Sequence, residues 1–286
     1  MEGIHRCTVG CSYLPLSGTA RTLFLRTFIP DLVTSPTISS EITLACSVNI
    51  ASPMARRPRI QLPGLMRHVM ARGNGRMQIF LDDSDYTRFM DLLTDIVEEF
   101  RMECWSYCVL PNHYHLAVRP TLPNLSNAIK ALNSSYAQWW NKRHETVGHV
   151  FQGRFKDQIV DRDEYGLALC RYIALNPVRA GLAARAEEWR WSSYAATIGL
   201  RPAHPAFVVS NVLRQFGDDD DSTLQTRFAS FVLSASSHAC TDERIRSREK
   251  ILGPFTFKSA IEAQLSHECH LQTDLEAPVA DAAAVT

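Results

Sequence analysis

Residues 102 to 119, Met102-Glu103-Cys104-Trp105-Ser106-Tyr107-Cys108-Val109-Leu110-Pro111-Asn112-His113-Tyr114-His115-Leu116-Ala117-Val118-Arg119, carry the pattern that decides the fold of this chain. Met102 to Leu110 is apolar and rich in aromatic side chains and reads as a strand, Pro111-Asn112 is a turn signal, and His113 to Arg119 reads as a second strand. The two pair as a hairpin. Side chains alternate along a strand, so His113 and His115 project from one face and Tyr114 from the other.

The flanking segments extend this hairpin into a fold. Toward the N-terminus, Asp85 to Phe100 places Phe89, Leu92, Leu93, Ile96, Val97 and Phe100 at helical spacing, with acids on the opposite face. Before it, His68-Val69-Met70-Ala71 is a short strand closed by the turn Arg72-Gly73-Asn74-Gly75. Beyond the hairpin, Asn124 to Arg143 is a helix burying Leu125, Ile129, Leu132, Tyr136 and Trp139 or Trp140. Phe155 to Val160 then suits a strand, and Asp163 to Asn176 a helix stopped at Pro177. The order β-α-β-β-α-β-α specifies an α+β protein of the ferredoxin-like (RRM-like) sandwich type, one antiparallel sheet with helices on one face. The other face, or the helix ends, is left for a substrate.

The composition excludes several classes. A chain of 286 residues with 45% hydrophobic residues and eight cysteines without a regular framework is neither wholly disordered nor a disulfide-dense module, and its thiols are expected to be free. No run approaches the roughly 18 apolar residues of a membrane span, so no membrane partner is expected and the cytoplasm is the default compartment. The 30 basic and 30 acidic residues cancel overall but not locally: residues 54–200 hold 19 basic against 15 acidic groups, and residues 201–286 hold 8 against 12. A basic middle permits a polyanionic partner that the neutral total seemed to exclude. The acidic run Asp218 to Asp221 reads as a solvated loop.

Residues 1–53 show no sustained period, and patterned sequence begins at Met54, so this stretch is either a flexible leader or the product of a start assigned too far upstream. Residues 54–200 form the expected main domain. Residues 201–265 form a helical extension with patches at Val208 to Phe216 and Thr223 to Leu233, and 266–286 a disordered tail with an Ala-rich end.

The His-x-His pair is a weak metal signal alone and needs further ligands. Zinc held by Cys104, Cys108, His113 and His115 is disfavoured, because i and i+4 on a strand lie about 13 Å apart. The helix before Pro177 offers Tyr172 and Asn176 four residues apart on one face, a phenol beside an amide oxygen. Read from the residues alone, the alternatives stay open: Asn176 as a helix cap and Tyr172 as core packing.

Three ordered strings bear on that choice: Leu110-Pro111-Asn112-His113-Tyr114-His115-Leu116, Gly148-His149-Val150-Phe151-Gln152-Gly153-Arg154-Phe155-Lys156, and Arg171-Tyr172-Ile173-Ala174-Leu175-Asn176-Pro177-Val178-Arg179-Ala180-Gly181. Together with Ala71-Arg72-Gly73-Asn74, the chain resembles the single-tyrosine transposases of the HUH endonuclease superfamily, especially the REP-associated branch, over roughly residues 54–200. The resemblance implies His113, His115 and Asn176 as ligands of a divalent metal, Mg2+ or Mn2+, and Tyr172 as the nucleophile. It implies cleavage of single-stranded or hairpin DNA through a 5′-phosphotyrosyl link that a 3′-OH can reverse.

The DNA contacts it suggests are Arg72, Asn74 and Arg76 in the first loop, Arg154 and Lys156 beside the fourth strand, and Arg179 after the nucleophile helix. Trp139, Trp140, Trp189, Trp191 and Tyr194 are able to stack on bases, but their positions favour the core. A non-catalytic DNA-binding protein on the same fold is the competing reading, and monomer and homodimer are both left open.

Overall fold

The structure, a computed structural model, describes residues 59–234 and, with short gaps, 243–275. The expected leader, residues 1–53, and the Ala-rich end after 276 lie outside the described residues. The central unit follows the expected order: β1 (Met66–Arg72), α1 (Asp83–Glu99), β2 (Met102–Leu110), β3 (His113–Pro120), α2 (Leu125–Arg143), β4 (Lys156–Val160) and α3 (Leu167–Ala174). The sheet order is β2-β3-β1-β4 with antiparallel neighbours, the ferredoxin-like arrangement, so the histidine strand β3 lies inside the sheet between β2 and β1.

A fifth strand, β5 (Ile251–Leu252), pairs in parallel with β4. The sheet is therefore mixed, not wholly antiparallel as expected. The amides of Ile159 and Asp161 donate to the carbonyls of Lys250 and Leu252, each at 2.7 Å, and this covers an edge that would otherwise expose unpaired backbone.

The two crossover helices α1 and α2 lie on one face, as expected, packed on Leu93, Ile129, Leu132 and Tyr114. Helix α3 packs on β2 and β3, where its Tyr172 meets His115, on the face opposite Tyr114. That face is already apolar and small-chained, with Cys108 and Ala117 buried, and every residue from Ala168 to Ala174 is buried in turn. A helix buried all round belongs between two layers, and α7 (Asp221–Leu233) supplies the outer one, with Phe231 against Arg171 at 4.6 Å.

Local chemistry sets the element ends. Asp82 caps α1 by accepting from the amides of Ser84 at 2.9 Å and Asp85 at 3.3 Å, which starts the helix before the expected Asp85. The helix expected over Asp163 to Asn176 is divided: a π-type turn spans Arg162–Gly166, α3 ends at Ala174, and α4 (Asn176–Arg179) follows. Pro177 therefore does not stop the chain's helical path. It occupies the first turn of α4, where its missing N–H is no loss. In the acidic run, Asp220 caps α7 by accepting from the Thr223 amide at 3.1 Å, a definite role where a plain solvated loop was expected. Short helices α5 (Tyr194–Thr197) and α6 (Val209–Leu213) complete the surround, and the helix Phe255–Leu275 runs into the segment expected to be disordered from 266.

Candidate active site

Strand β3 presents His113 and His115 on the α3 side, with ring centres 5.0 Å apart. The intervening Tyr114 turns to the other face, where its hydroxyl donates to Oδ1 of Asn133 at 2.8 Å and its ring packs on Phe89. In the sheet register His113 lies opposite Arg72, and His115 opposite Met70 and Cys108. The ring of Tyr172 approaches edge-on, its centre 5.8 Å from those of both His115 and His68. Arg179, carried back by α4, lies over the Tyr172 ring at 5.1 Å.

His68 is the participant that sequence reasoning missed. Its Nε2 is 2.8 Å from Nδ1 of His115, and the two rings stack with centres 5.1 Å apart. Alternation along β1 puts His68 on the same face as Arg72, but only the β1–β3 register, which no local pattern encodes, puts that face beside His115.

The three imidazoles are neutral at physiological pH. Burial pushes His68 down to about 4, against a smaller opposing contribution from Gln158. Burial and then the charge of Arg72 bring His113 to about 4, and His115 falls well below the ordinary value through burial, then His68, His113 and Arg72. For His113 the tautomer follows as well. Nδ2 of Asn112 donates to the Arg76 carbonyl at 3.1 Å, so Oδ1 of Asn112 faces Nδ1 of His113, 2.6 Å away. That ring nitrogen must be the donor, and Nε2 keeps a lone pair for a ligand.

These residues fit a divalent cation. Two neutral imidazoles are adjacent, and the buried Nδ2 of Asn176 has no hydrogen-bond partner; an amide turned over would place its oxygen there. Among the described residues no three His, Cys, Asp or Glu side chains converge as a metal site. Cys104 and Cys108 are buried and their thiols pushed up, Cys104 to about 12, which disfavours the thiolates that zinc uses.

The expected DNA contacts divide into two groups. Arg72, across from His113, and Lys156, across from Met70, share the sheet face of the histidines, and Nε of Arg72 is buried without a hydrogen-bond partner. Asn74 and Arg76 lie exposed in the turn after β1. The loop 148–154 runs beside this turn, with Asn74 N donating to the Val150 carbonyl at 2.8 Å and Gln152 N to the Arg72 carbonyl at 2.9 Å. Arg154 belongs elsewhere. It lines a cleft of about 590 Å³ against α2, with Arg59, Lys130, His149, Asn127 and Asn133, and no carboxylate in its wall. The aromatic residues mostly serve the core: Trp140 and Tyr194 are buried, Trp191 stacks on Tyr86 at 4.7 Å, and Trp189 Nε1 donates to the Val109 carbonyl at 2.9 Å.

The sheet is thus ferredoxin-like, with an inner strand that sets a His-x-His pair against a helix-borne tyrosine. Residues 61–176, which include His68, both β3 histidines, Tyr172 and Asn176, match the family described as IS200-like transposase. No curated protein matches the chain. Among solved structures, a REP-associated tyrosine transposase bound to a REP hairpin is 18% identical, covering 53% of this chain and 90% of that one with a TM-score of 0.45. A candidate transposase from Deinococcus radiodurans R1 is 18% identical, covering 45% and 98% with a TM-score of 0.31.

Proposed function

We propose that this transposase is a metal-dependent endonuclease and strand transferase for single-stranded, hairpin-forming repeat DNA, acting through a 5′-phosphotyrosyl link at Tyr172. The observation that carries the reading is the Tyr172 ring 5.8 Å from His115 with Arg179 over it. The phenolate oxygen of Tyr172 forms the bond to phosphorus as the bond from phosphorus to the 3′ oxygen breaks, and the freed 3′-OH can later reverse the exchange without ATP. Arg179 sets positive charge beside the attacking oxygen's ring. Arg72 and Lys156, on the histidine face, hold the phosphates next to the scissile one, and Asn74 and Arg76 extend that hold along the strand. His113, His115 and Asn176 would hold Mg2+ or Mn2+, which supplies a Lewis acid for the scissile phosphate and for charge on the leaving oxygen.

The cleft lined by Arg154 and Lys130 offers a second basic surface for the remainder of a folded hairpin. The motif resemblance to the REP-associated branch points to palindromic repeats as the substrate. Three buried free thiols, Cys104, Cys108 and Cys170, suit a reducing compartment, in keeping with a cytoplasmic enzyme. Among the described residues no helix is long and apolar enough to cross a membrane. The test is incubation with single-stranded hairpin oligonucleotides and Mg2+ or Mn2+. The expected products are a 5′-side fragment ending in a free 3′-OH and a 3′-side fragment attached to the protein through its 5′ phosphate; tight binding without cleavage would make it a DNA-binding protein that has lost catalysis.

A further inference from the structure

The hydrogen bond at His68 does not end there. Gln158 is directly opposite His68 in the β1–β4 register, and its Nε2 donates to the Glu249 carbonyl at 2.9 Å, just before β5. That bond fixes the amide, because a carbonyl only accepts, and leaves Oε1 of Gln158 as a buried acceptor without a hydrogen bond of standard geometry. The His68 ring lies across from it in the register, and Gln158 raises the basicity of that ring against burial. If Nδ1–H of His68 points to Oε1, then Nε2 of His68 carries the lone pair. The 2.8 Å contact must then run from Nδ1–H of His115 to Nε2 of His68.

We infer that His68 and Gln158 form a positioning chain, anchored on the backbone at Glu249, that locks His115 in its Nδ1–H tautomer with Nε2 free to bind. This gives the segment after residue 200 a part in building the site: the Glu249 carbonyl, just before β5, holds Gln158, Gln158 orients His68, and His68 orients His115. Partners of this kind, behind a ligand, set its tautomer and tune its affinity. The inference rests on the reading of His115 as a ligand, yet the tautomer itself can be read without metal or DNA.

The experiment is two-bond 1H–15N correlation on 15N-histidine-labelled, metal-free full-length protein at pH 7, comparing wild type, His68→Phe and Gln158→Leu. Wild-type His115 is expected to be protonated on Nδ1, and both variants to show a mixture of tautomers. Titration with Mn2+ alone is expected to show binding weakened about 10- to 100-fold in His68→Phe. A wild-type His115 protonated on Nε2, or an Nδ1–H form unchanged in whichever variant folds, would overturn the inference. Absence of DNA cleavage by the wild type, with the tautomers as expected, would instead count against the proposed function.

Discussion

The guanidinium of Arg179 lies 5.1 Å from the centre of the Tyr172 ring while its Nη1 donates to the Tyr172 backbone carbonyl at 3.1 Å. The break between α3 and α4 makes this possible, returning a cation from the next helix onto the residue assigned as nucleophile. Replacing Arg179 by Ala is expected to slow covalent attachment to DNA by about 10- to 100-fold, a barrier increase of about 1.4 to 2.7 kcal/mol. Arg179→Lys should recover part of the rate. Single-turnover kinetics at saturating DNA separates this from weakened binding.

Asp85 is completely buried at the start of α1, where its carboxylate accepts from the Leu81 amide at 2.7 Å, pairs with Arg143 and lies 2.9 Å from Nε2 of His144. Arg143→Ala leaves this carboxylate with His144 as its remaining basic partner and is expected to destabilise the fold, because a buried charge loses its strongest partner. Urea unfolding measures it. An equal loss in Asp82→Ala would show that the exposed partner of Arg143 matters as much as the buried one.

Gly73 has no room for a side chain: a Cβ there would stand 2.3 Å from the Met77 carbonyl oxygen and 2.8 Å from Cγ2 of Ile79. Gly73→Ala must move the turn that carries Asn74 and Arg76. The expected result is a loss of about 1 to 3 kcal/mol by thermal unfolding, with weaker DNA binding at temperatures where the variant is still folded.

The histidine cluster predicts an acid limb. His68 and His113 titrate near 4 in the folded protein, below the unperturbed 6.5. Between these values the unfolded chain binds more protons, so stability is full above about pH 6.5 and is lost as pH falls toward 4. The melting temperature of the metal-free protein should decline across that window, and the slope should flatten in His68→Phe. A flat profile from pH 7 to 4 in the wild type would contradict neutral, buried rings.

Much of this was legible in the sequence because it was local. The β2–β3 hairpin was read nearly to the residue, since apolar strands flank a Pro-Asn turn, and alternation put His113 and His115 on one face. The α1 start was missed because capping by Asp82 depends on backbone geometry that apolar spacing does not report. Strand β5 is two residues long and has no period to detect. His68 went unrecognised because its role arises from strand register and from Gln158, ninety positions along the chain. Arg154 was named with Lys156 as lying beside the fourth strand, but β4 begins only at Lys156 and Arg154 lines the cleft against α2 instead.

The central assignment is tested most directly by mapping the covalent product. Wild-type protein, incubated with a hairpin oligonucleotide and Mn2+, then digested and analysed by mass spectrometry, should carry the DNA-derived mass on the peptide containing Tyr172, and Tyr172→Phe should form no adduct while still binding the oligonucleotide. An adduct on another residue, or one formed by Tyr172→Phe, would contradict it.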